Sequence, residues 1–183
     1  PFLWSGAGNV VSRLCISQRS RWDVAIVTSG ASRGLRDWPA YRGRLAAADV
    51  SHHTIDFFDR DAATFWRGVS ALEQLVARWC PDVVHTHAGV PACAAAHVRD
   101  ATGLRFRHVN HVYNWGVERP AWMDTMDVSG IHRADRVICS AGAYRDLLER
   151  RGVPAHRIRY IPWGLDLDAI RTMAGRPHER HGS

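Results

Sequence analysis

Two patterns of apolar and polar residues alternate along this chain. Short apolar runs of strand length occur at 22–28, 53–58, 82–87, 105–111, 136–139 and 157–161. The longest helical pattern begins at Asp61, a favourable N-cap residue, continues with apolar residues three or four positions apart, and stops at Pro81. Further helices are predicted at 91–103 and 141–151, whereas 31–48 is expected to be irregular or partly helical.

This order of elements predicts the fold class. Strands separated by helices are typical of an α/β fold with a doubly wound, Rossmann-like parallel sheet. The 183 residues are enough for one hydrophobic core, so we expect a single domain over 1–168. The remaining stretch, 169–183, is polar and rich in arginine and histidine, and we expect it to be a linker or a disordered tail.

Composition narrows the chemistry. The net charge is +6. The sequence contains no lysine, so all of its strongly basic side chains are arginines. This excludes lysine Schiff bases and lysine-dependent phosphate loops. The arginines are scattered and not interleaved with a stripe of aromatic residues, so nucleic acid is not an expected partner. No apolar run reaches the ~20 residues of a membrane-spanning helix, and we expect a cytoplasmic protein.

The cysteines support this expectation. They are far apart and form no Cys-x-x-Cys pair: Cys15, Cys80, Cys93 and Cys139. Reduced thiols are usual in the cytosol. The spacing predicts neither a disulfide framework nor a cysteine-based zinc site.

A glycine-rich turn at 27–36 resembles the dinucleotide-binding turn of short-chain dehydrogenases. Gly30 and Gly34 fit the spacing, but Arg36 stands where a third glycine normally permits close helix–strand packing. The catalytic Tyr-x-x-x-Lys pair of those enzymes also needs a lysine, which this chain lacks. An NAD(P)-dependent oxidoreductase of this type is therefore a less favoured alternative.

Histidines end two neighbouring strands of the predicted sheet. His85 and His87 are two positions apart, so their side chains share one face of a strand, and His111 ends the next strand. A His-x-His strand end also suits a zinc hydrolase of the amidohydrolase type, but that barrel needs about 250 residues. We therefore expect a crevice at this edge of the sheet, without a metal. His52 and His53 lie just before and at the start of a predicted strand and are expected to be solvated.

The order of the motifs resembles that of family 4-type glycosyltransferases, which have the two-Rossmann-domain GT-B architecture. The similar segments are the glycine-rich start at 1–11, the strand at 22–28, Pro-Asp-Val-Val-His-Thr-His at 81–87, Val-Asn-His at 109–111, Ala-Asp-Arg-Val-Ile-Cys-Ser at 134–140 and Ile-Pro-Trp-Gly-Leu-Asp at 161–166. Asn110, Cys139 and Trp163 depart from the family's pattern, which has an asparagine at the position of Trp163. The family's first strand, which precedes the glycine-rich loop, is expected to be missing here.

The resemblance implies the acceptor-side half of a retaining glycosyltransferase of the hexosyltransferase type, acting in carbohydrate biosynthesis. Such an enzyme transfers a sugar from a nucleotide-sugar to a hydroxyl acceptor, with no cofactor and no essential metal. The donor-binding domain would be supplied in cis or in trans, and this chain alone is expected to be inactive. A non-catalytic binding module with the same fold is the alternative from another functional class.

The resemblance also assigns roles to individual residues. His111 is expected to be the catalytic residue, through a hydrogen bond to the transferred sugar or to an acceptor hydroxyl. Gly6 and Gly8 are expected to bind substrate through backbone N–H groups at a helix start, and His87 and Ser140 to line the pocket. The aromatic segment 115–123 is an ordinary core helix, a lid over the acceptor, or an interfacial helix that meets a lipid-linked acceptor at the inner face of a membrane.

Overall fold

The computed structural model describes residues 6–34, 38–57, 62–113, 121–162, 164 and 171. Helices and strands alternate along them, in agreement with the sequence pattern. The elements are α1 (Gly6–Gln18), β1 (Ala25–Thr28), α2 (Trp38–Ala47), β2 (Ser51–Thr54), α3 (Ala62–Trp79), β3 (Val83–His87), α4 (Gly89–Thr102), β4 (Arg107–Val112), α5 (Ala121–Arg133), β5 (Arg136–Cys139), α6 (Gly142–Arg150) and β6 (Ile158–Tyr160). Short 3-10 helices follow β1, at Gly30–Gly34, and precede β6, at Ala155–Arg157.

The strands form two parallel sheets. β1 pairs with β2, and β3, β4, β5 and β6 pair in that order. This confirms the predicted single-domain α/β fold with Rossmann-like parallel sheets. Within the described residues no strand pairs with both β1 and β3, the place that a doubly wound order gives to a first strand.

The largest hydrophobic core is formed mainly by helices α3 and α4. The apolar face of α3 is buried as its spacing predicts, with Phe65, Val69, Leu72 and Val76. Helix α4 contributes mainly alanines, which let α5 approach closely: a Cβ added at Gly130 would lie 2.6 Å from the Cβ of Ala92. Two smaller cores cover β5–β6 and β1–β2.

All four cysteines are free thiols, as expected. Cys15 and Cys139 are buried, Cys93 is half-buried and Cys80 is exposed. Burial raises the pKa of Cys15 to about 11, with a smaller opposing effect of its backbone hydrogen bond. These buried thiols serve as small apolar residues of the core.

The expectation that His52 and His53 are solvated was wrong. Both lie within β2, which begins at Ser51, and both are half-buried. A ring nitrogen of His52 is 2.8 Å from the hydroxyl of Thr28 on β1, and burial is the main cause that lowers the pKa of His52. The residues Ser51 to Thr54 have no apolar alternation, so only their pairing with β1 identifies them as a strand.

Candidate functional site

The carboxyl ends of β3 and β4 bring three histidines together. His85 and His87 alternate onto the same face of β3, and the parallel register sets His87 opposite His111 on β4. The ring centroids of His85 and His87 are 4.3 Å apart, and those of His87 and His111 are 5.7 Å apart. The carboxyl edge of the sheet, where the motif spacing predicts a crevice, therefore carries a compact group of imidazoles, hereafter the histidine cluster.

Two hydroxyl groups hold rings of this cluster. The Ser140 hydroxyl, just after β5, is 2.8 Å from Nε2 of His111. The Tyr113 hydroxyl is hydrogen-bonded to Nδ1 of His87, and the Tyr113 ring stacks on His111 with centroids 4.3 Å apart. The sequence interpretation did not include Tyr113. It lies two residues after His111, and the strand alternation that linked His85 to His87 would have pointed to it.

Burial makes the cluster electrically neutral at pH 7. It lowers the pKa of His85 and of His111 to about 4. The pKa of His87 is also far below its usual range, because of burial first and then because of the neighbouring His85 and His111. Burial raises the pKa of the Tyr113 phenol. Each neutral imidazole has one donor and one acceptor nitrogen, so the cluster can both donate and accept hydrogen bonds.

A polar layer lies on the opposite face of the same strands. Thr86 hydrogen-bonds to His108, with 2.9 Å between Oγ1 and Nε2, and Asn110 is buried beside it. The Asp135 carboxylate accepts a hydrogen bond from the backbone N–H of His108 and another from Arg99, each 2.8 Å long. These contacts tie β3, β4 and α4 to the start of β5 beneath the site.

His108 should make the protein acid-sensitive. Burial, followed by the positive charge of Arg99, lowers the pKa of His108 to about 4, whereas an unfolded chain has a histidine pKa of about 6.5. The unfolded state therefore binds more protons between these values, and the stability present above pH 6.5 is lost towards pH 4. We expect His108 to account for a loss of about 3 kcal/mol, measured by urea unfolding at several pH values.

The comparison variant for this measurement is His108→Gln, which should show a shallower decline of unfolding free energy with acidification. His156→Gln, at an exposed histidine, should decline as the wild type does. Equal declines in all three proteins would show that His108 does not contribute to acid sensitivity.

The turn after β3 connects the histidine cluster to β4 and α5. Ala88 has a φ of +81°, a conformation that costs free energy for any residue except glycine and that occurs preferentially at functional sites. Its N–H donates to the carbonyl of His111, with 3.2 Å between N and O. Helix α4 then begins at Gly89, against the Asp127 carboxylate. The end of β3 is therefore fixed to both β4 and α5.

The predicted site residues fall into two groups. His87, His111 and Ser140 meet at one edge of the sheet, as the contacts above show. Gly6 and Gly8 lie in the first turn of α1, which packs mainly on β1 of the other sheet. They were predicted as a loop leading into a helix, whereas the structure includes them in the helix itself. Trp163 and most of the 115–123 segment lie outside the described residues, but Trp122 is 43% exposed.

The turn that resembles a dehydrogenase motif is already occupied by a side chain. The Asp56 carboxylate accepts hydrogen bonds from the backbone N–H of Gly30, at 2.6 Å, and from the Ser29 hydroxyl, at 2.7 Å. A dinucleotide turn needs its N–H groups for a phosphate, and a carboxylate at that position repels one. This contact counts against the oxidoreductase alternative.

Comparison with protein families identifies the family of this domain. The profile of Glycosyltransferase Family 4 matches residues 4–169. The chain belongs to this family. The match covers both sheets and the histidine cluster, and it confirms the resemblance inferred from the motif order. General glycosyl transfer is therefore the activity of the family to which this domain belongs.

Solved structures confirm the fold of this family 4 domain. A glycosyltransferase from Rickettsia africae has a TM-score of 0.67 at 15% identity over 96% of this chain and 44% of its own. A lipopolysaccharide outer core galactosyltransferase in its apo form has a TM-score of 0.62 at 13% identity over 89% of this chain and 44% of its own. Anabaena HepE, in complex with UDP, has a TM-score of 0.57 at 14% identity over 84% of this chain and 50% of its own.

The family 4 domain thus spans about half the length, or less, of these structural relatives. A search of curated proteins gave no match. Among the residues that the structure describes, no helix is long and apolar enough to cross a membrane.

Proposed function

We propose that this chain is the acceptor-side domain of a retaining glycosyltransferase of the hexosyltransferase type. The complete enzyme transfers a sugar from a nucleotide-sugar to a hydroxyl acceptor, either free or lipid-linked, without a cofactor or an essential metal. The observation that carries the proposal is the position of His111. It lies near the carboxyl end of the parallel strand β4, at the sheet edge where ligands of such folds bind, inside a domain of family 4.

The surroundings of His111 suit a group that positions a sugar. The side chain is buried, and Ser140 and Tyr113 constrain the ring by a hydrogen bond and by stacking. A ring fixed in advance loses little entropy when substrate binds, and burial strengthens each hydrogen bond that it makes. Glycosyl transfer requires alignment of the acceptor hydroxyl and stabilisation of the departing diphosphate. His111 contributes to the alignment.

The donor-binding domain supplies the remaining groups, in cis or in trans. The chain covers 44%, 44% and 50% of the three structural relatives described above, which supports this division. In this proposal His87 lines the acceptor pocket beside His111, and the backbone at Gly6 and Gly8 approaches the substrate from the β1–β2 side. The chain without its donor domain is inactive. The exposed Trp122 is compatible with a lipid-linked acceptor at the cytoplasmic face of a membrane, which remains a prediction.

The test uses the enzyme joined to its donor domain, with a panel of nucleotide-sugars and hydroxyl acceptors. We expect release of the nucleoside diphosphate to depend on acceptor, and the product to keep the anomeric configuration of the donor. Inversion would contradict the retaining mechanism. Saturable binding of an acceptor without transfer from any donor would indicate a binding module in place of an enzyme.

Ser140 is proposed as a positioning residue that acts through His111. Ser140→Ala removes the hydroxyl that is 2.8 Å from Nε2 of His111. We expect kcat to fall about tenfold, less than the ~10²-fold or more that loss of a reacting acid–base group costs, because Ser140 acts only through His111. KM should change little, and Ser140→Thr, which restores a hydroxyl, should recover most of the rate. Ser70→Ala, on the exposed face of α3, is the control. Equal losses of rate in Ser140→Ala and Ser140→Thr would contradict this role.

A further inference from the structure

The histidine cluster has a property that sugar positioning does not require. His85, His87 and His111 each offer a ring nitrogen, and these nitrogens all lie within 4.8 Å of one another. The His85 and His111 rings are nearly parallel, with an interplanar angle of 8° and centroids 6.1 Å apart. Three imidazoles from two adjacent strands thus bring their ligand atoms close together at this edge of the sheet.

His85 provides the second observation. Its Nε2 is buried and has no hydrogen-bond partner among the described residues. An unpaired buried polar atom carries a desolvation cost of about 1–3 kcal/mol, and its ring lies against that of His87, 4.3 Å away between centroids. A ligand that accepts the lone pair of this nitrogen would remove the cost.

The surrounding hydroxyls resemble the support of a metal site. Ligand histidines usually have their second nitrogen hydrogen-bonded to another group, which fixes the orientation of the ring. Here Tyr113 engages one nitrogen of His87 and Ser140 engages one nitrogen of His111. Among the described residues, no thiolate or carboxylate joins the cluster. A set of neutral imidazoles favours zinc or copper over magnesium or calcium.

We propose that His85, His87 and His111 form a binding site for a divalent transition metal ion, with Zn²⁺ as the preferred ion. Tetrahedral Zn²⁺ with bonds of about 2.0–2.1 Å separates its ligand nitrogens by about 3.4 Å. The present spacing, up to 4.8 Å, is wider, so the rings turn towards one another when the ion binds. Three protein ligands leave a coordination position open for water or an anion.

Metal binding has a consequence for His111. A ring that coordinates zinc through one nitrogen and bonds to Ser140 through the other has no nitrogen left for a sugar hydroxyl. The ion is therefore not an essential cofactor of transfer but an inhibitor that competes for the same residue. The site does not depend on the proposed function, because metal binding is measured without any transfer assay.

The experiment titrates the purified protein with Co²⁺ and with Zn²⁺. We expect one ion per chain, a visible Co²⁺ spectrum of the intense four- or five-coordinate type, and an increase in thermal stability with Zn²⁺, because a ligand that binds only the folded state stabilises it. A weak six-coordinate Co²⁺ spectrum, together with no stabilisation by Zn²⁺, would overturn the proposal.

Variants locate the ion. His85→Gln removes the unpartnered ligand and should weaken Zn²⁺ binding by more than about tenfold, and Tyr113→Phe, which keeps the ring but not its hydroxyl, by about tenfold. His156→Gln, at an exposed histidine, and the double variant His178→Gln/His181→Gln, in the histidine-containing tail, should bind as the wild type does. If binding is lost in the tail variant but kept in Tyr113→Phe and His85→Gln, the ion sits in the tail and the proposal fails.

Discussion

Replacement of His111 by alanine is expected to lower kcat/KM for sugar transfer by about a hundredfold or more in the enzyme that contains the donor domain. Removal of one preorganised polar group at a reacting centre typically costs about 10²–10³ in rate. His111 meets the conditions for such an effect, because it is buried to 7% exposure and its ring is held by Ser140. Steady-state kinetics with saturating donor and a varied acceptor measure the effect.

Two controls separate this role from a structural one. The unfolding free energy of His111→Ala should be measured in parallel, because loss of the stacked ring also removes packing against Tyr113. His156→Ala changes an exposed histidine and should retain full activity. A folded His111→Ala enzyme with nearly wild-type kcat/KM would contradict the catalytic assignment.

Gly89→Ala is expected to cause the largest loss of stability. A Cβ at position 89 would overlap the Asp127 carboxylate and would come within 2.6 Å of the Asp127 Cα, so both the buried carboxylate and the backbone of α5 would have to move. Overpacking of a core and displacement of a buried charge together cost about 3 kcal/mol. For a domain of this size we expect a decrease of about 10 °C in Tm, measured by calorimetry.

Gly43→Ala is the matched control for this substitution. Gly43 also lies in a helix, but a Cβ added there meets nothing within 4 Å. Alanine is the better helix former by about 0.8–1.0 kcal/mol, so Gly43→Ala should stabilise the protein slightly. If Gly89→Ala and Gly43→Ala had the same effect on Tm, the close approach of α4 and α5 at Gly89 would not limit the packing.

The sequence pattern predicted the helices and strands in which burial of one face imposes a regular spacing of apolar residues. Helix α3 has its apolar residues three or four positions apart because one of its faces is buried in the core that it shares with α4, and its observed bounds are Ala62–Trp79. The β5 strand was predicted with its observed bounds, Arg136–Cys139. Strand β2 was displaced in the prediction, because its residues are polar and its identity comes from its partner β1.

The candidate site was also predicted only as far as its features are local in sequence. Motif order identified the family, and strand alternation placed His85 and His87 on one face of β3, since both properties are local in sequence. Their distance from His111 and the contacts with Tyr113 and Ser140 depend on the register of β3, β4 and β5. That register cannot be predicted from the residues of any one strand.

By itself, then, the sequence determined the α/β class, the order of the elements and the family, because these depend on the periodicity of apolar residues and on short motifs. Tertiary structure alone decided which polar groups share an environment: the neutral histidine cluster, the unpartnered nitrogen of His85, and the Asp56 carboxylate in the glycine turn. The physical reason is that burial and hydrogen bonding act between residues that are distant along the chain, and these interactions exist only once parallel strands have paired in register.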